Sequence, residues 1–305
     1  MIGLLEQVNL REAGAVADAL RRGAVAMRSC ACRRGSIEVV EVSPEMRGTP
    51  AGTLIATGDL HDNPLHLSRL MHAAGMEDAA SDPAHLTLHE LIHGDRLVNG
   101  LDYSYRVLAR VAHLKATFPE RVHVLLANHE MAQAFGQHVA KEGVRCNEAF
   151  DEALDVAFGD DAAAVREAVN VFVRALPLAV RFRCAGVKGD VLCAHSLPPP
   201  ELMERFDMGV LERDLTEEDY VARRGSAHLM MWGRGQTREQ LAMLAERWGV
   251  RLFLLGHEKA EEGVWMLGEN AVVLNSDHER GVYARVDVCG AASVERVMEG
   301  VVGLG

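Results

Sequence analysis

The chain has 305 residues, 49% hydrophobic and 25% charged; those globular proportions exclude a disordered, collagenous or coiled-coil chain. Lys plus Arg is 32 and Asp plus Glu is 44, so the formal charge is −12. With no long basic run, this balance argues against sequence-independent binding to a nucleic-acid polymer or an anionic membrane. A phosphorylated substrate would need local cations or metal ions.

The opening segment MIGLLEQVNLREAG carries Glu6 and no long apolar stretch, so it does not read as a secretory leader. No segment has the apolar length to cross a bilayer. Cys30, Cys32, Cys146, Cys184, Cys193 and Cys289 are scattered through a chain large enough not to need staples. Reduced thiols in a cytoplasmic protein are therefore expected, with Cys30 and Cys32 two incidental thiols.

In chain order, residues 10–29 place apolar side chains at helical spacing, and 37–42 (IEVVEV) read as a β-branched strand. The Pro/Gly-bearing stretch 44–52 then closes an N-terminal extension, residues 1–50. Short apolar runs follow at Thr53–Thr57, Leu91–His93, Val122–Ala127, Val191–Ala194, Leu252–Leu255 and Ala271–Leu274. Helical patterns at 64–75, 102–117 and 238–248 lie between several of them. Such alternation predicts an α/β body over 51–290, closed by strands at 264–267, 271–275 and 282–288, with a tail at 291–305. Residues 131–176 keep helical patterning longer than a crossover needs, which predicts a helical insert.

Five of the apolar runs are followed by the same kind of residue. TLIAT precedes GDLHDN, ELIH precedes Gly94–Asp95, VHVLLA precedes NHE, VLCA precedes His195–Ser196, and LFLL precedes Gly256–His257. In α/β sheets the carboxyl ends of the strands form the functional edge, so Asp59, His61, Asp95, Asn128, His195 and His257 are expected to converge. On an extended backbone Asp59 and His61 would leave by one face. Asp95 has two oxygens and could bridge two ions. Imidazole, carboxylate and amide together suit zinc, manganese or iron. HELIH at 89–93 matches the zincin pattern, which requires a helix; on a strand its histidines would stand about 13 Å apart.

The ordered motifs GDLH, GD, NHE, His195 and Gly256–His257 resemble the calcineurin-like metallophosphoesterases over residues 53–288. The resemblance is closest to the phosphoprotein phosphatase branch, which includes dinucleoside tetraphosphatases; LPLAVRF and MWGRGQT also resemble segments of it. The resemblance implies a sandwich of two mixed β-sheets flanked by helices, around two transition-metal ions (Mn, Fe or Zn). Asp59, His61 and Asp95 would hold the first ion, and Asp95, Asn128, His195 and His257 the second. His129 would protonate the leaving group and Glu130 would support the motif. The implied reaction is in-line attack on phosphorus by a hydroxide formed between the ions.

In GDRLVNG, Val98 and Asn99 stand where the family has an Asp that orients the acid histidine and a phosphate-clamping Arg. Arg96 is a candidate substitute, and Arg234 resembles a second phosphate arginine, with Asn128 also within reach of phosphate. The expected activity is that of a phosphomonoesterase resembling serine/threonine protein phosphatases. A phosphoanhydride hydrolase acting on dinucleoside polyphosphates is the first alternative, and an inactive binding scaffold the second.

Overall fold

The computed structural model describes residues 3–137, 140–141, 144–290 and 292–305. Two mixed sheets stack face to face. The seven-stranded sheet runs Arg33–Arg34, Ile37–Val42, Ala179–Cys184, Asp190–Ala194, Val250–Leu255, Ala271–Leu274, Val264–Leu267. The five-stranded sheet runs Val301–Gly303, Val282–Asp287, Thr53–Thr57, His85–Leu88, Val122–Val124, the last three strands parallel.

Strand alternation builds the layers. In TLIAT, Leu54 and Ala56 enter the apolar cluster between the sheets, with Phe182, Val191, Leu252, Leu254, Val272 and Val286. Ile55 points the other way, into the cluster beneath the helices, as do Leu192, Phe253 and Leu255. Both faces are thus buried, which is why these strands read as unbroken apolar runs. Helices Pro64–Ala74, Tyr105–Thr117 and Arg238–Trp248 fall where the spacing predicts them. The 131–176 stretch contains the end of Asn128–Phe135, then Cys146–Phe158 and Ala162–Val173, with a small hairpin of Ala140–Lys141 and Val144–Arg145 interrupting it. Its residues 138–139 and 142–143 lie outside the described residues.

The N-terminal extension is built into the body. Ile37–Val42 pairs in parallel with Ala179–Cys184, and the helix Ala13–Ser29 buries Val16, Leu20, Ala24 and Met27. The tail supplies a short helix, Val294–Glu299, and the edge strand Val301–Gly303.

Two expectations fail. The second parallel strand of the body is His85–Leu88, and residues 91–93 form no strand. The expectation of reduced thiols also fails for four cysteines. Cys30–Cys32 and Cys184–Cys289 are disulfide-bonded, with Cα atoms 5.2 and 5.3 Å apart, leaving Cys146 and Cys193 free. Cys184 ends a strand of one sheet and Cys289 follows a strand of the other, so their bond closes the sandwich; the cysteine argument for a cytoplasmic chain loses its basis. Among the described residues, no helix is long and apolar enough to cross a membrane.

Candidate active site

The strand ends meet in one cleft of about 450 Å³, walled by Asp59, His61, Glu90, Asn128, His129 and His257, with Asp95 and Arg234 also on its lining. His195 sits behind this wall, fully buried. Asp59 follows Thr53–Thr57 and bridges in parallel to both His89 and Asn275, so it joins neighbouring loops at the sheet edge. Its Oδ1 accepts the His257 backbone N–H at 2.9 Å and lies 3.4 Å from His195 Nδ1. Asn128 begins a helix, and its Oδ1 lies 2.7 Å from His195 Nε2, which in turn is 3.0 Å from His257 Nδ1.

His61 does not leave an extended backbone beside Asp59. The chain turns there, with φ of +40° at His61 and +54° at Asp62, and Glu90, His93 and His257 are also left-handed. Strain of this kind persists only where surrounding structure enforces it, and it concentrates around the cleft. Gly58 shows the crowding: a Cβ there would collide with the Leu274 carbonyl, so only glycine lets the chain pass before Asp59.

Glu90 stands among the cleft histidines, and Asp95 lies further out on the lining. Because the parallel strand stops at Leu88, the residues delivered to the edge are His89 and Glu90, and Gly94–Asp95 arrives one turn later. Glu90 is 3% exposed, and its carboxylate oxygens lie 3.6 Å from His61 Nε2, 3.7 Å from His129 Nδ1 and 3.4 Å from His195 Nε2. Asp95 is exposed on the cleft rim. The turn that presents Glu90 is held by Glu130, whose Oε1 accepts the N–H groups of Leu91 and Ile92 at 2.6 and 3.2 Å.

HELIH is therefore a strand end and turn, without the helix a zincin site needs. All three of His85, His89 and His93 are buried. His93 donates Nδ1–H to Asp102 at 2.7 Å, and its ring lies 5.6 Å from that of His129. Val98, by contrast, is 52% exposed. Spacing alone does not single out Glu90, His93 or Asp102; the signal for Glu90 is the short strand HLTL, which ends two residues before it.

Arg96 is engaged elsewhere: it donates to the His61 carbonyl at 2.8 Å and to Asp277 Oδ1 at 2.6 Å, tying two cleft loops together. Arg234 is exposed and lines the cleft, as does Lys259. His278 reaches the cleft but donates Nε2–H to the Ala260 carbonyl and accepts the Arg280 N–H on Nδ1, an ordinary turn role.

The electrostatics separate the two central carboxyls. Burial pushes Glu90 well above the usual carboxylate range, and the charges of Asp59 and Glu130 add to the shift. Burial also pushes on Asp59, but the hydrogen bond and charge of His195, with His89 and His61, outweigh it and hold Asp59 low. Burial drives His129 and His257 well below the usual imidazole value.

These groups fit a cation. His195 Nε2 lies 2.7 Å from the Asn128 oxygen, 3.0 Å from His257 Nδ1 and 3.4 Å from a Glu90 oxygen, so three potential ligand atoms surround it. Glu90 Oε2 and His257 Nε2 are buried without hydrogen-bond partners. Asp59 with His195, and His61 with Glu90, also belong to two groups whose ligand atoms all lie within 4.8 Å of one another. A cation here would satisfy these ligand atoms and draw the proton from Glu90.

A profile for calcineurin-like phosphoesterases matches residues 52–260. Among solved structures, a Saccharomyces cerevisiae serine/threonine phosphatase described as similar to human phosphatase PP5 superposes with a TM-score of 0.64, at 15% identity, over 90% of this chain and 83% of its own. The cold-active protein-tyrosine phosphatase of a psychrophilic Shewanella species superposes with a TM-score of 0.56, at 14% identity, over 82% and 77%. By sequence, no curated protein matches the chain. The profile covers more than half of the chain, and the chain belongs to the calcineurin-like phosphoesterases.

Proposed function

We infer that the protein hydrolyses phosphate monoesters at this cleft with two transition-metal ions, manganese, iron or zinc. The observation that supports this reading most is the packing of the Glu90 carboxylate among His61, His129 and His195. Asp59, His61 and Glu90 would hold one ion, and Glu90, Asn128, His195 and His257 the other, an N/O donor set suited to those metals. When bound, the pair supplies an activated water and a polarising field on the phosphoryl oxygens.

The protein's own groups do the rest. Arg234 and Lys259 offer positive charge to the phosphate from the cleft wall. His129 stands at the mouth of the Glu90 cluster, 9% exposed, where it can pass a proton to the leaving oxygen. Behind it, the His93–Asp102 pair would orient its ring. Asp95, on the rim, would bridge no ions.

A side-by-side assay with manganese tests the reading, using para-nitrophenyl phosphate, a phosphoserine peptide and diadenosine tetraphosphate. Turnover of the first two with little of the third is expected. Turnover of the tetraphosphate alone would replace monoesters by phosphoanhydrides as the substrate class, and turnover of none would defeat the reading.

A further inference from the structure

We propose that His89 is a positioning residue that fixes which ring nitrogen of His195 faces the metal centre. The inference rests on the metal reading above, but its hydrogen count does not. His89 Nε2 lies 2.9 Å from the Thr57 carbonyl oxygen. A carbonyl only accepts, so His89 carries its proton on Nε2. Its Nδ1 lies 3.1 Å from His195 Nδ1. Two ring nitrogens at that distance share a single proton, and with the His89 proton committed to Thr57 it belongs to His195 Nδ1. Asp59 Oδ1 lies 3.4 Å from the same nitrogen, which places negative charge on that side of the ring. His195 Nε2 is then a lone pair, aimed at Asn128 Oδ1, His257 Nδ1 and Glu90 Oε2 at 2.7, 3.0 and 3.4 Å.

The two rings meet edge to face, with centroids 5.4 Å apart, and both are buried, so no water competes for Nδ1. Room for the second imidazole comes from Gly256, where a Cβ would run into His89 Cε1 and Asp59 Oδ1. A metal-binding imidazole commonly donates its other N–H to a carboxylate or carbonyl. Here a neutral histidine, itself pinned by Thr57, receives that N–H alongside Asp59.

Long-range ¹H–¹⁵N NMR on the metal-free, ¹⁵N-histidine-labelled full chain reads the tautomer directly. The expected result is a protonated Nδ1 and bare Nε2 at His195, with the reverse at His89. A proton on His195 Nε2 in the wild type overturns the proposal, whatever the variants do. In chelator-competition titrations with Mn²⁺, His89→Leu should weaken binding by about 10- to 100-fold. His89→Asn, whose amide oxygen can replace the Nδ1 acceptor, should recover most of that loss. Equal Mn²⁺ affinity in His89→Leu and the wild type also overturns it, leaving the metal reading intact. A wild type with the expected tautomer and no Mn²⁺ binding defeats the metal reading, and with it the role of His89 toward a metal.

Discussion

His93 donates its Nδ1–H to Asp102 at 2.7 Å, and its ring centroid lies 5.6 Å from that of His129. An imidazole backed by a carboxylate thus stands beside His129, the candidate acid. Asp102 also accepts the Ser104 N–H on its other oxygen, which fixes its orientation. Asp102→Asn should slow hydrolysis of an alkyl phosphate about tenfold or more, with a smaller effect on para-nitrophenyl phosphate, whose leaving group needs little acid help. Equal slowing of both, measured as kcat, would detach the pair from proton donation.

The two candidate phosphate arginines should separate cleanly. Arg234→Ala removes cleft charge and should raise KM for phosphate esters. Arg96→Ala breaks the bonds to Asp277 and the His61 carbonyl, and should lower thermal stability while leaving KM nearly unchanged. The exposure of Arg96 limits that loss to about 1 kcal/mol. A large KM increase in Arg96→Ala would return it to the phosphate site.

Asp62 supplies a pH dependence with an unusual sign. Burial first, then the neighbouring charge of Asp102, pushes its carboxyl up to about 7. The folded protein therefore binds this proton more tightly than the unfolded chain. The metal-free protein should lose at most about 1.4 kcal/mol of stability per pH unit from this group as pH rises from roughly 4 to 7. Asp62→Asn should flatten that slope in denaturant titrations; an unchanged slope would assign the dependence elsewhere.

A second buried cluster ties the N-terminal extension to the body. Lys115 Nζ donates to Glu38 Oε1, the Pro119 carbonyl and the Val122 carbonyl at 2.7, 2.8 and 2.9 Å, while Glu38 also accepts from His123. Burial pushes Glu38 upward, yet Lys115 and His123 outweigh it and hold Glu38 at about 2. Burial wins at Lys115, which is lowered despite Glu38, so the pair adds less net stability than the Glu38 shift suggests. Lys115→Met leaves Glu38 buried without its main partner and should cost about 3–5 kcal/mol in urea unfolding. A loss under 1 kcal/mol would show that Glu38 re-solvates or protonates freely.

The α/β architecture was legible because strands such as TLIAT are buried on both faces and read as continuous apolar runs. The loops after them name Asp59, Asn128, His195 and His257 by position alone. The second strand hid itself. HLTL carries two polar side chains that the fold buries: His85 stacks on His123, and Thr87 accepts the Thr57 N–H on its hydroxyl. Leu91 and Ile92 then imitate a strand, although their burial belongs to a turn pinned by Glu130. Asp102 was beyond any spacing rule, since it reaches back nine residues through a loop. The pairing of Ile37–Val42 with Ala179–Cys184 was equally hidden, because it joins segments far apart in the chain.

Metal content of two variants tests the central claim, that Glu90 is the carboxylate shared by both ions. Glu90→Gln and Asp95→Asn would be purified with the wild type, loaded with manganese, desalted and analysed by elemental mass spectrometry. The account predicts two ions per chain in the wild type, nearly as many in Asp95→Asn, and one or none in Glu90→Gln. Full loading of Glu90→Gln together with an empty Asp95→Asn would contradict it.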